Sequence, residues 1–205
     1  MPVVSEERFL GGQTYEQVRD RVNAEGGKSK TMLATGEASA RNATIDLTPF
    51  NELPHPVNVL VLSEEWCPDC TDGLPIIDRI AKESGKLNVR VFPRDEHLDL
   101  ADQFLNKGEF RSIPTVIFLD DNYELIGFVS ERPDSVTEYR KQKRQALHAA
   151  RPELGGFEAR PDELSDEVRE ARLKAEAEVK AESYAYSVPE IASWLATPLQ
   201  GAAVS

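Results

Sequence analysis

Cysteine is scarce in this chain: 205 residues carry two, Cys67 and Cys70, three positions apart. So close a pair cannot staple distant segments, which excludes a structural disulfide framework. Long apolar runs are missing as well. No stretch reaches the roughly 20 residues that a membrane span needs. The first ten residues, MPVVSEERFL, lack the basic start and apolar stretch of a secretory signal. A cytoplasmic location is the expectation, and there a cysteine pair is more often reactive than structural. Positive charge is in deficit, with 24 Lys and Arg against 36 Asp and Glu, for a net charge of −12. That argues against a nucleic-acid surface. The three histidines, His55, His97 and His148, are scattered and follow no ligand spacing. A structural zinc wants four ligands and an iron–sulfur cluster more cysteines than one chain has here, so no metal is assigned. A cluster shared between two chains that meet at exposed motifs stays open. Phosphate-loop, dinucleotide and hydrolase signatures are absent, and no cofactor is expected. Asp95-Glu96-His97 has no serine partner or elbow motif and reads as a helix cap.

What is present centres on residues 57–70. Val57 to Leu62 is an apolar run broken only by Asn58, which predicts a central strand buried on both faces. Pro56 cannot join a central ladder, so the strand begins after it. A polar turn and the two cysteines follow. Leu74, Ile77 and Ile80 then repeat at a helical period, and Gly85 marks the stop. The pair therefore sits at a strand-to-helix junction. Unpaired N–H groups at a helix start favour negative charge and stabilise a thiolate there. Cys67, at the exposed start, is the expected nucleophile. Cys70, one turn further in, is the expected resolving thiol, able to attack a mixed disulfide formed by the first. Asp69, Glu64 and Glu65 oppose this by raising the Cys67 pKa through like charge.

Around this centre the chain divides into an N-terminal helical extension, residues 1–54, a core, residues 55–150, and a C-terminal helical extension, residues 151–205. Residues 1–12 read as a loose arm. Thr14 caps a helix from Tyr15 to Asn23 with Tyr15, Val18 and Val22 on one face. A second helix, about Ser29 to Ser39, is weakened by Gly36. In the core, Val89–Phe92 forms the next strand, and Asp95 or Asp99 starts a helix carrying Leu100, Phe104 and Leu105 to Gly108. A strand begins at Thr115, and Asp121-Asn122 turns it into Glu124–Val129. Ser135 to Ala149 is helical. In the tail, Asp162–Glu182 is a charged helix with a thin face of Leu164, Val168, Ala171, Ala175 and Val179. Ser187-Val188-Pro189-Glu190 has the form of a capping box opening a short separate helix, which Trp194 docks on the body.

This order of elements, with Trp66-Cys67-Pro68-Asp69-Cys70, resembles the thioredoxin fold and its active-site motif. Pro75 lies where thioredoxins kink the active-site helix. Ile113-Pro114-Thr115 is similar to the family's loop with a cis-proline beside the disulfide, and Gly127 matches a glycine after the hairpin. S-E-E-W-C-P-D-C with R-D-E and R-S-I-P is similar to a bacterial group of stand-alone thioredoxin-like proteins. The resemblance implies an α/β thioredoxin-like fold: a four-stranded mixed sheet flanked by helices, here with helical extensions at both ends. It implies a thiol–disulfide oxidoreductase that reduces protein or small-molecule disulfides through Cys67 and Cys70. Trp66, Pro68, Asp69, Ile113 and Pro114 would support the pair or touch substrate. The expected partners are a disulfide-containing protein or small thiol and an electron-donating reductase, with neither nucleic acid nor membrane. Two departures stand out. The dipeptide between the cysteines is Pro-Asp where ordinary thioredoxin has Gly-Pro. The strand carries Val59-Leu60-Val61 where thioredoxins bury an aspartate that helps proton transfer at the second cysteine. The alternative is a thioredoxin-like interaction module that binds clients through its extensions and uses its thiols little.

Overall fold

The computed structural model describes residues 1–204. Four strands form one mixed sheet: β1 (Val57–Ser63), β2 (Leu87–Pro93), β3 (Thr115–Leu119) and β4 (Leu125–Ser130), in the order β2-β1-β3-β4. β1 runs parallel to β2, with Val59 opposite Val89, and antiparallel to β3, with Leu60 opposite Ile117. β3 and β4 close an antiparallel hairpin. β1 is buried throughout because its side chains alternate between two cores. Val59 and Val61 face one, with Leu74, Ile77 and Phe118. Leu60 and Leu62 face the other, with Phe92, Leu100, Ile117 and both cysteines. Asn58, the polar exception, donates to the Asp120 carbonyl at 3.1 Å and so closes the hairpin mouth onto the strand.

The parallel pair requires a crossover, and α5 (Pro68–Ser84) supplies it. Its interior Pro75 does not end it. Gly85, in the left-handed conformation, does. α2 (Tyr15–Glu25) has the expected Thr14 cap, completed by Gln17 into a reciprocal box, and buries Tyr15, Val18 and Val22. α3 (Gly27–Asn42) is longer than its composition suggests, and Gly36 is its contact point. A Cβ there would collide with the Thr71 carbonyl oxygen, so the glycine that weakens the helix lets it reach α5.

Four local expectations are corrected. Residues 1–12 are no loose arm: α1 (Glu6–Leu10) is capped by Ser5 and buries Phe9, and Val3 donates to the Tyr123 carbonyl at 2.8 Å. The segment after β2 holds only a 3-10 turn and one helical turn, α6 (Leu98–Ala101). Phe104 is buried beyond it, and Asn106 and Phe110 bridge across a turn in which Lys107 has φ 54°. After α4 (Thr48–Asn51) and α7 (Asp134–Ala150), the tail is one 30-residue helix, α8 (Asp166–Leu195), that runs through Pro189. The bond that Pro189 cannot make belongs to the carbonyl of Ala185, an exposed residue that water can serve. Val188, Ile191 and Leu195 bury the same face across the expected break. The thin face also differs, since Ala171 is exposed while Arg172 is buried and donates to the carbonyls of Gly156, Phe157 and Ala159.

Candidate functional site

β1 ends at Ser63, and a short turn delivers Cys67 to the N-cap of α5. Pro68 occupies the first helical position, where its missing N–H costs no intrahelical bond. The Cys67 N–H donates to the Glu64 carbonyl at 3.2 Å, which fixes the turn. Both cysteines are free thiols. Cys67 is more covered than a helix start by itself implies. It is 7% exposed against 0% for Cys70, because the Ile113–Pro114 loop lies on it. The Ile113–Pro114 peptide bond is cis, and the Cys67 thiol meets the Ile113 carbonyl oxygen at 3.6 Å.

The two thiols differ in acidity. A hydrogen bond from Cys70 lowers Cys67 to about 7. Backbone N–H groups of Cys70 and Asp69 add to that, while burial and the Asp69 charge oppose it. The contest between helix terminus and acidic neighbours is thus won by the hydrogen bonds. Burial pushes Cys70 well above the ordinary thiol range, and its bond and charge interaction with Cys67 push further. One thiol is therefore partly ionised at neutral pH while its neighbour stays protonated and able to donate.

Asp69, between the cysteines, raises the Cys67 pKa, but two arginines offset part of its charge. Arg132, on the loop after β4, pairs with one of its oxygens, and Arg140 of α7 lies 3.5 Å from the other. The Arg132 loop also braces the proline loop. Glu131, at φ 67°, donates its N–H to the Pro114 carbonyl at 2.7 Å and accepts from the Ser112 hydroxyl at 2.7 Å. Trp66, next to Cys67 in the chain, stays outside the core. It is 57% exposed, with the Arg94 guanidinium over its ring at 5.8 Å. Arg94 in turn donates to the Arg111 carbonyl at 2.7 Å, tying the tryptophan to the approach to Ile113. The structure thus brings Trp66, Cys67, Pro68, Asp69, Cys70, Ile113 and Pro114 into one neighbourhood. Asp95 and His97 do not join the pair: the Asp95 backbone N–H donates to the Glu64 carboxylate, and His97 packs edge-on against Phe92.

Sequence reasoning missed Asp72. It is 3% exposed and held on the side of α8. Tyr184 donates to it at 2.8 Å, Lys180 lies at 2.9 Å and Arg140 at 3.2 Å. The apolar strand Val59-Leu60-Val61 has no carboxylate, and the buried acid sits on α5, the helix that carries the cysteines, instead. Lys180 and Tyr184 lie more than 100 positions away, so no local pattern pointed to it. Among the described residues no three His, Cys, Asp or Glu side chains gather as a metal site, and no helix is long and apolar enough to cross a membrane.

A mixed four-stranded sheet with a vicinal dithiol at its central crossover helix and a cis-proline opposite defines a thioredoxin-fold protein. The thioredoxin family's sequence profile matches residues 17–145, and the chain belongs to that family. The match begins inside the N-terminal helices. Two solved structures share the fold. One is the crystal structure of an HIV epitope scaffold, 16% identical, with a TM-score of 0.63 over 97% of this chain and 99% of that one. The other is a protein of unknown function from Pseudomonas aeruginosa, 18% identical, with a TM-score of 0.53 over 87% of this chain and 99% of that one. No curated protein matches the chain.

Proposed function

We propose that the protein is a thiol–disulfide oxidoreductase that reduces protein or small-molecule disulfides through Cys67 and Cys70. One observation carries the reading: two free thiols sit together at the start of α5, Cys67 at its N-cap against the cis Ile113–Pro114 loop and Cys70 fully buried one turn further in. The lowered pKa of Cys67 and the raised one of Cys70 fit those roles. The Cys67 thiolate attacks one sulfur of the substrate disulfide and releases the other as a thiolate. Cys70 then loses its proton and attacks the Cys67 sulfur, releasing the second substrate thiol. Two electrons pass from the cysteine pair to the substrate, and the pair ends as a disulfide. An external reductant of the dithiol or reductase class must return it to the dithiol. The Ile113 carbonyl covers the Cys67 sulfur, and exposed Trp66 extends the surface a substrate meets. Their role, with that of Pro68, Asp69 and Pro114, belongs to the proposal. So does a cytoplasmic setting, whose reducing poise suits the direction.

A second reading, a binding module that leaves its thiols idle, rests on the 7% exposure of Cys67. Alkylation after equilibration in glutathione buffers of graded poise separates the two. Reversible loss of both thiols in one step supports the oxidoreductase. If Cys67 reacts no faster than a free thiol and no disulfide forms in the most oxidising buffer, the module remains.

A further inference from the structure

The residues that follow Cys67 open onto a feature that a thiol pair does not itself require. Pro68 and Asp69 form one end of a cleft of ≈ 480 Å³ between α7 and α8. Arg132, Arg140, Arg144 and Lys180 line it, against the carboxylates of Asp69 and Glu176. Asp72 lies buried behind them. In a chain of net charge −12 this is a local reversal of sign. Alongside Glu176 and Lys180 the α8 wall carries an apolar patch, with Leu173 63% exposed beside Ala177 and Val179.

Not all of the positive charge is used internally. Arg132 spends Nη1 on Asp69 and Nε on Thr137, and its Nη2 has no partner among the described residues. Arg144 pairs through Nη2 with Glu176 at 3.1 Å, and its Nη1 has no partner there either. Both side chains reach solvent, at 31% and 42% exposure. Arg132 also follows directly on Glu131, whose N–H holds the Pro114 carbonyl, so the cationic wall starts on the loop that braces the cover over Cys67.

We infer that this cleft receives the anionic part of the substrate, a low-molecular-weight disulfide whose carboxylates lie on Arg132 and Arg144 while its sulfur–sulfur bond faces Cys67. The inference rests on the thiol–disulfide reading and narrows it. The redox step is the one given above: substrate disulfide plus protein dithiol yields two substrate thiols and the Cys67–Cys70 disulfide. The apolar patch takes the aliphatic body, and charge pairing selects the ends.

Three small disulfides that share an ethylene arm test it: 3,3′-dithiodipropionate, which is anionic, hydroxyethyl disulfide, which is neutral, and cystamine, which is cationic. Net charge alone predicts that the reduced protein attacks cystamine fastest. The cleft predicts the reverse, with dithiodipropionate ahead of hydroxyethyl disulfide by roughly fivefold or more at low salt, falling as salt rises. In Arg132→Gln and Arg144→Gln, each measured with hydroxyethyl disulfide as internal reference, that ratio should fall toward one. Cystamine leading, or an anion ratio unmoved by both substitutions, overturns the cleft. So does reduction of insulin with all three small disulfides inert, which leaves the oxidoreductase reading standing. If nothing is reduced, the oxidoreductase reading falls and takes the cleft with it.

Discussion

Gly36 of α3 lies directly against the backbone carbonyl of Thr71, the residue that follows Cys70. On the neighbouring position of the same helix, Asp72 is held by Lys180 and Tyr184 of α8. The first turns of α5, the helix that carries the cysteines, are therefore gripped by both helical extensions.

Replacing Gly36 by alanine should show the strength of that grip. The new methyl meets backbone, which cannot rotate away, and overpacking of this kind costs roughly 1–3 kcal/mol. Urea unfolding should register a loss of that size. Because alanine is the better helix former by about 1 kcal/mol, a gain in stability would mean that α3 does not press on α5.

The acidity of Cys67 gives a pH dependence with a definite sign. Its thiol is lowered to about 7, so the reactive thiolate dominates above that pH and falls about tenfold per unit below it. Iodoacetamide alkylation should therefore titrate near 7. In Cys70→Ala the largest cause of the lowering is gone, and the midpoint should move up. Cys70→Ser keeps a hydroxyl donor and should move it less. The same serine variant should trap mixed disulfides with clients, and Cys67→Ser should trap none.

Asp69 and Arg132 should act on that midpoint in opposite directions. The Asp69 charge raises Cys67, so Asp69→Asn should speed alkylation at pH 6. Arg132→Ala removes an ion-pair partner of Asp69 and should slow it. Each effect should be roughly two- to fivefold, since a full pKa unit is tenfold in thiolate. Equal effects in the same direction would show that both residues act through folding alone.

Asp72 should matter through stability. It is buried, and removing it leaves Lys180 and Arg140 facing each other without their carboxylate. Breaking a buried pair from one side costs about 3–5 kcal/mol. Tyr184→Phe, which removes one hydrogen bond to a charged group, should cost about 1.5–3 kcal/mol. Thermal melts of Asp72→Ala, Tyr184→Phe and a chain ending at residue 161 should rank in severity as truncation, aspartate, tyrosine. A truncated chain with unchanged melting would show that α8 is a free appendage.

Features that depend on near neighbours were legible along the chain. An apolar run broken only by Asn58 marked Val57–Leu62 as a central strand, a helical period with a terminal glycine placed α5, and two cysteines at that junction located the candidate site. Ile113-Pro114 and the order of elements pointed to the fold through resemblance. Tertiary structure decided the rest, because the causes lie far apart along the chain. Gly36 reads as a helix breaker until Thr71 is beside it. Pro189 and the capping box before it read as a boundary until the burial of Val188, Ile191 and Leu195 outweighs one lost hydrogen bond at an exposed carbonyl. Asp69 reads as a full brake on Cys67, and only the fold shows Arg132 and Arg140 arriving from beyond the hairpin to offset part of it. Asp72, an ordinary helix aspartate in sequence, becomes a buried charge only when a helix more than 100 residues later supplies its tyrosine and lysine. Burial of that kind is a sum over all contacts, and no local pattern records it.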